Sequence, residues 1–186
     1  MRAVHREEIV DYQTYEETRE GFRRQVMKTK EPRRIHVGDH LTFLFENRET
    51  IRYQIQEMMR AERIVREADI RHEIGTYNEL LGSEGELGAT LMIEIDDPVE
   101  RARKLVAWRD LPKHLYVLLE SGEQVPMSYD PRQVGEERLS SVQYVKFPTR
   151  GSTPNAIGCD HPDPELRCEA RLTDAQRQAL ASDLAS

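Results

Sequence analysis

The chain has 186 residues and a net charge of −7, with 38% hydrophobic and 33% charged residues. This length supports one hydrophobic core without disulfide staples, and the recurring apolar runs exclude a disordered composition. The acidic balance excludes general nucleic-acid binding, and no apolar run reaches the roughly 18 residues of a membrane span. The charged N-terminus lacks the apolar core of a signal peptide, so we expect a soluble, cytoplasmic protein.

Helix patterns dominate the first half of the chain. Residues 9–28 are predicted as a helix, because Asp11 suits its N-cap and basic residues fill its last turns. Residues 36–45 alternate over too short a stretch to separate a strand from a loop. Residues 49–68 form the clearest helix pattern, and a further helix is expected over residues 72–81.

The helix over residues 49–68 carries an apolar face with an acidic member. Spacings of three and four residues put Ile51, Ile55, Met58, Glu62 and Val65 on one face. A buried carboxylate must be paired, protonated or bound to a metal. We therefore expect Glu62 to be buried, most simply within a Glu–Arg network.

Strand patterns dominate the second half. A helix interrupts them, because Asp97, Pro98 and Glu100 fit the N-cap, N1 and N3 positions of a helix running to about residue 108. Thr173 is expected to begin a short final helix. The predicted strands cover residues 89–95, 114–119, 124–129, 140–147, 156–159 and 167–172, with the last two forming a pair.

This order of elements predicts the fold class. Helices followed by antiparallel strands favour an α+β fold, with N-terminal helices packed on a mainly antiparallel C-terminal sheet. We expect a single domain over residues 1–186. Its helical part covers about 1–82, its strand-rich part about 86–172, and a short helix follows.

Candidate metal ligands occur in two short segments. Cys159, His161 and Cys168 flank two prolines that would turn the chain into a hairpin, and zinc or iron accepts such ligands. The alternative is that both cysteines are small buried hydrophobic residues and that His161 fills a turn. His36 and His40 share a face in either a strand or a helix, and the alternative there is a loop built around a local turn.

Polar groups along the main helix suggest a cofactor or anion site. Arg48 and Arg52 could clamp an anionic small molecule, with Gln54, Glu57 and Glu62 beside them. The Glu-x-x-His motifs of di-iron centres are absent from the sequence. A separate basic cluster is either a solvated surface or a docking patch for an acidic partner. Its members are Arg19, Arg23, Arg24, Lys28, Lys30, Arg33 and Arg34.

The acidic segment over residues 94–97 is a further candidate metal site. Glu94 and Asp96 share a strand face and could hold Mg²⁺, although Asp97 beside them is better explained as a helix cap. The sequence contains no phosphate-binding loop, dinucleotide fingerprint or nucleophile elbow. A stand-alone nucleotide-driven enzyme or serine hydrolase is thereby disfavoured.

The runs V-G-D-H-L-T-F-L-F-E-N-R-E-T-I-R-Y-Q-I-Q-E-M, T-Y-N-E-L-L, G-E-L-G-A-T-L-M-I-E-I and G-C-D-H-P carry a family resemblance. The chain resembles an uncharacterised bacterial family catalogued as a domain of unknown function, number three-five-zero-one. The resemblance implies gene neighbours of the rubrerythrin-like and iron–sulfur oxidoreductase types, and no established activity. The matching positions are His40, Glu46, Asn47, Arg48, Gln54, Gln56, Glu57, Tyr77, Asn78 and His161.

The sequence thus supports three functional hypotheses and does not decide whether the protein is an enzyme. The first, which follows from the resemblance, is a non-catalytic partner of an iron–sulfur or rubrerythrin-like protein in a redox or peroxide-defence system. The second is a small zinc- or iron-binding protein or enzyme, with His161 as a ligand and Glu57 or Glu62 as a general base. The third is a binding module for an anionic small molecule.

Overall fold

The structure is a computed structural model that describes residues 3–130, 135 and 137–186. The helices of this part of the chain are α1 (Tyr12–Lys30), α2 (Arg48–Glu62), α3 (Glu67–Asn78), α4 (Pro98–Ala107) and α5 (Asp174–Leu184). The strands are β1 (Arg34–Val37), β2 (Leu41–Phe45), β3 (Leu87–Ile93), β4 (Leu115–Leu119), β5 (Gln124–Pro126), β6 (Ser128–Tyr129), β7 (Val142–Phe147), β8 (Pro154–Cys159) and β9 (Cys168–Arg171). Short 3-10 helices cover Arg6–Glu8, Glu31–Arg33 and Leu111–His114.

Two antiparallel sheets share one hydrophobic core. The first has the strand order β1-β2-β3-β7-β6 and the second β5-β4-β8-β9. Apolar side chains from both sheets form this core, in which Phe43, Leu91, Phe147 and Ile157 are fully buried. Trp108, just after α4, closes the same core. The predicted α+β class and the antiparallel pairing are confirmed.

Residues of α2, α3 and the N-terminal segment form a second, smaller core, and α1 packs against α2. One carboxylate ties α1 to α2. Glu57 accepts hydrogen bonds from Arg19, at 2.7 and 2.9 Å, and from the Tyr15 hydroxyl at 2.6 Å. The bond from Arg19 lowers the pKa of the Glu57 carboxyl, so this group is ionised and paired at neutral pH. A Glu–Arg network therefore exists, at Glu57.

The predicted single helix over residues 49–68 is wrong, because the structure has two helices there. Arg63 adopts a left-handed backbone with φ 54° and ends α2. This conformation is rare for a residue with a Cβ atom, so the sequence gives little warning of it. The apolar stripe consequently stops at Met59, Glu62 is exposed, and Val65 is 72% exposed. The expectation that Glu62 is buried is also wrong.

The segment over residues 36–45, which the sequence leaves open between strand and loop, is the β1–β2 hairpin. Gly38 has φ 62° in its turn, a conformation that glycine adopts without steric penalty. An added Cβ there would also lie 2.9 Å from the Cys168 sulfur, so the turn packs tightly on β9. The hairpin joins the first sheet, and the N-terminal half of the chain thus contributes two strands as well as helices.

Helix capping follows the sequence closely. The Asp11, Asp97 and Thr173 side chains accept backbone N–H bonds in the first turns of α1, α4 and α5. Each cap satisfies one or more of the backbone N–H donors that a helix N-terminus leaves unpaired. These three predicted caps are therefore confirmed, although α1 begins at Tyr12, three residues after the predicted residue 9.

The predicted basic cluster is only partly a solvated surface. Arg33 is 8% exposed and donates two hydrogen bonds to Asp183 on α5, at 2.7 and 2.9 Å. Lys30 lies over the Tyr53 ring, and Arg19 is paired with α2. The exposed members that remain are Arg23, Arg24, Lys28 and Arg34.

Among the helices of the described chain, none combines the length and apolarity needed to cross a membrane.

Candidate metal centre

The register between β4 and β8 brings distant polar residues together. Leu115 pairs with Cys159, so His114 and Asp160 lie opposite each other just beyond the ends of the two strands. The Asp160 N–H donates to the His114 carbonyl at 3.0 Å and extends the ladder by one bond. His161 follows at the start of the β8–β9 loop, which covers residues 160–167.

A histidine–aspartate cluster results at this end of the second sheet. The ligand atoms of Asp110, His114 and His161 all lie within 4.8 Å of one another. The side chains of Asp110 and His114 are 49% and 28% exposed, whereas that of His161 is only 6% exposed. Among the described residues this is the one group of three or more potential ligands at such close range.

The hydrogen bonds of His161 fix its tautomer. Its Nδ1 accepts the Asp163 backbone N–H at 3.0 Å, so that nitrogen carries a lone pair. The proton of the neutral ring must then be on Nε2, which donates to Asp110 Oδ1 at 3.0 Å. This bond lowers the pKa of the Asp110 carboxyl. His161 therefore orients an ionised Asp110.

His114 has the complementary arrangement. Its Nδ1 lies 2.9 Å from Asp160 Oδ1, and its Nε2 lies 3.5 Å from Asp110 Oδ2. When Nδ1–H donates to Asp160, the Nε2 lone pair faces the Asp110 carboxylate. Metal-bound histidines commonly donate their second ring N–H to a carboxylate in this way.

Ion pairs and hydrogen bonds hold the β8–β9 loop against α4. Asp163 accepts the Trp108 indole N–H at 2.8 Å, and Glu165 accepts a 2.5 Å bond from Lys104. These bonds lower the pKa of both carboxyls, and the bond to Glu165 raises the pKa of Lys104. The loop that carries His161 is therefore attached to α4 through Lys104 and to Trp108 just after that helix.

The structure places His36 and His40 away from the cluster. His36 is exposed, and its Nδ1 lies 2.8 Å from the Thr42 hydroxyl, which donates to Glu94 at 2.6 Å. His40 lies against Trp108, with its Nε2 3.3 Å from the Lys104 ammonium. Its Nδ1 lies 3.4 Å from the Glu94 carbonyl oxygen, so both ring nitrogens of His40 have neighbours outside the cluster.

Cys159 and Cys168 lie directly opposite each other on β8 and β9, outside the histidine–aspartate cluster. Both pack with the hydrophobic core, and burial raises the pKa of Cys159 to about 11 and also raises that of Cys168. A thiol binds metal as a thiolate, and these environments disfavour the thiolate. The hairpin predicted from the prolines is present, but it brings His161 to aspartates and another histidine.

Arg48 and Arg52, the predicted anion clamp, lie in one surface depression, but each has a partner within the protein. Arg48 pairs with Glu8 at 2.7 Å, and the Arg52 guanidinium lies over the Phe22 ring, 4.7 Å from its centroid. Both arginines line a surface depression together with Glu8, Glu49 and Asp183, whose carboxylates oppose an anion. The remaining polar candidate, Gln54, hydrogen-bonds to Tyr77 of α3.

Glu94 and Asp96, the predicted magnesium ligands, have different surroundings in the structure. Glu94 accepts the Thr42 hydroxyl, and Asp96 is exposed in the loop before α4. Sequence reasoning missed Asp110, His114 and Asp160. Their signals are a D-x-x-x-H spacing and the aspartate beside His161, but only the β4–β8 register brings these two segments together.

The geometry defines an α+β protein with a histidine–aspartate cluster at one end of a sheet. The chain belongs to the family described as protein of unknown function DUF3501, whose model matches residues 3–184, which confirms the resemblance. A solved structure from Burkholderia pseudomallei K96243, described as a novel protein of unknown function, is 28% identical with a TM-score of 0.88. The match covers 98% of this chain and 100% of that one. No curated protein matches the chain.

Proposed function

We propose that this protein binds a divalent transition metal, zinc or ferrous iron, through Asp110 and His114. The observation that carries the proposal is the 3.5 Å separation between His114 Nε2 and Asp110 Oδ2, two potential ligand atoms on partly exposed side chains. Asp160 hydrogen-bonds to His114, and His161 hydrogen-bonds to Asp110, so both proposed ligands are held in place. Imidazole and carboxylate ligands suit both metals.

The ligand separation favours tetrahedral coordination. Two ligands about 2.0–2.1 Å from a zinc ion are roughly 3.3–3.4 Å apart at the tetrahedral angle. Octahedral magnesium with similar bond lengths brings neighbouring ligands to about 2.9 Å. The observed 3.5 Å is closer to the tetrahedral value, so little movement is needed to close on zinc. The partial exposure of both side chains leaves the other coordination positions accessible.

We expect purified protein, incubated with zinc and then desalted, to retain metal by elemental analysis. His114→Ala removes a ligand and should lose that metal. The matched control is His72→Ala, because His72 is exposed on α3 far along the chain from the cluster. Equal metal retention in wild type and His114→Ala would contradict the proposal, provided that both proteins remain folded by circular dichroism.

The accessory role in an iron-dependent redox or peroxide-defence system, and the cytoplasmic location, remain part of this proposal. The family resemblance supports the role, and an accessible metal site is compatible with exchange between proteins. We expect affinity capture from the native host to recover an iron–sulfur or rubrerythrin-like protein. Recovery of neither with wild-type bait, under anaerobic conditions that preserve both, would count against the role.

A further inference from the structure

Cys159 and Cys168 lie directly opposite each other on two neighbouring antiparallel strands, and they are the two cysteines of the chain. Both are free thiols in the structure. We propose that they form a reversible cross-strand disulfide by exchange with a small-molecule disulfide such as oxidised glutathione. This modification site is independent of the metal site proposed above.

The register between β8 and β9 brings the two side chains together. Directly opposite residues of antiparallel strands have Cα atoms about 4.5–5.5 Å apart, within the range of about 4.4–6.8 Å found in disulfides. Both thiols pack with the core that the two sheets share, so they lie on the same face of the strand pair. The Cβ atoms of such pairs are about 4.5–5.5 Å apart and a disulfide needs about 3.5–4.5 Å, so a shift of about 1 Å suffices.

Strand β9 is suited to this shift, because among the described strands its one neighbour within the second sheet is β8. The Cys168 thiol donates a hydrogen bond to the Leu166 carbonyl at 3.1 Å. A thiol is a weak donor, so turning the sulfur towards Cys159 loses little. The new bond joins the two ends of the loop over residues 160–167, which carries Asp160 and His161. It thereby restricts the unfolded chain more than the folded one.

The two thiols differ in accessibility, which sets the order of the exchange. Cys168 is partly exposed, whereas Cys159 is 2% exposed. Cys168 loses its proton to water, and its sulfur attacks one sulfur of the small disulfide and displaces one thiol. Cys159 then loses its proton, and its sulfur attacks the Cys168 sulfur and displaces the second thiol. The protein gives up two electrons and two protons, and the small disulfide is reduced to two thiols.

Equilibration of the full chain in glutathione redox buffers, with a chelator present, tests the pair in the folded protein and in urea. Mass spectrometry of acid-quenched samples separates the internal disulfide, lighter than the reduced chain by two hydrogen atoms, from glutathione adducts. We expect the equilibrium constant for the disulfide to be roughly tenfold or more larger in the folded protein than in urea, because the fold holds the two thiols together. By linkage, the oxidised protein should also unfold at a higher urea concentration than the reduced protein.

Cys159→Ala and Cys168→Ser are matched controls, because each leaves one thiol. Neither should lose two hydrogen atoms, and neither should gain resistance to urea after oxidation. A disulfide that forms no more readily in the folded protein than in urea would overturn the proposal. Glutathione adducts without the internal disulfide in folded wild-type protein would overturn it as well.

Discussion

Asp183→Ala is expected to lower the free energy of unfolding by about 3–5 kcal/mol, the usual penalty for leaving one partner of a buried ion pair uncompensated. The Asp183 side chain is 7% exposed and accepts bonds from Arg33, at 2.7 and 2.9 Å, and from Asn47 at 3.2 Å. These bonds connect α5 to the Glu31–Arg33 turn and to the cap of α2. Urea unfolding followed by circular dichroism measures the loss.

Two further variants separate the ion pair from a general effect of α5. Asp174→Ala changes the same residue type at an exposed position in the first turn of that helix, where a carboxylate contributes roughly 0.3–1 kcal/mol. The double variant Arg33→Met/Asp183→Leu removes both charges and should recover part of the lost stability. A loss for Asp183→Ala no larger than that for Asp174→Ala would show that the pair contributes little.

Features that depend on contacts between residues close in the sequence, such as helix caps, could be predicted from the sequence. Asp97 caps α4 because its carboxylate reaches a backbone N–H three residues ahead, and that spacing is visible in the chain. The end of α2 was not readable, because it depends on Arg63 adopting a left-handed conformation. The pairing of Arg33 with Asp183 spans 150 positions, so neither residue shows from its neighbours that it is buried.

The candidate site shows the same division. His161 stood out because of its place in a cysteine- and proline-containing segment. Asp110 and His114 did not, because they lie 51 and 46 positions from the residues they meet. The β4–β8 register brings these residues together, and that register depends on core packing along both strands. A sequence can therefore nominate a ligand type while leaving its neighbours undetermined until the sheet is known.

His161→Ala is expected to weaken zinc binding about 10–100-fold, the usual effect of removing a group that orients a metal ligand. In the structure its Nε2–H holds Asp110, while its Nδ1 is committed to the Asp163 backbone N–H. His161→Gln restores an N–H donor without an imidazole, so it should bind more tightly than His161→Ala. Isothermal titration calorimetry provides the affinities, with thermal unfolding as the check on this buried position.

The competing assignment makes His161 a direct ligand. It requires the Nε2 lone pair, and therefore a proton on Nδ1 pointing at the Asp163 N–H, which places two donors against each other. If His161 is nevertheless a ligand, both of its variants should lose zinc as completely as His114→Ala. If it acts through Asp110, the order of affinity is wild type, His161→Gln, His161→Ala and finally His114→Ala. The position of His161→Gln in this order therefore decides between a positioning role and direct coordination.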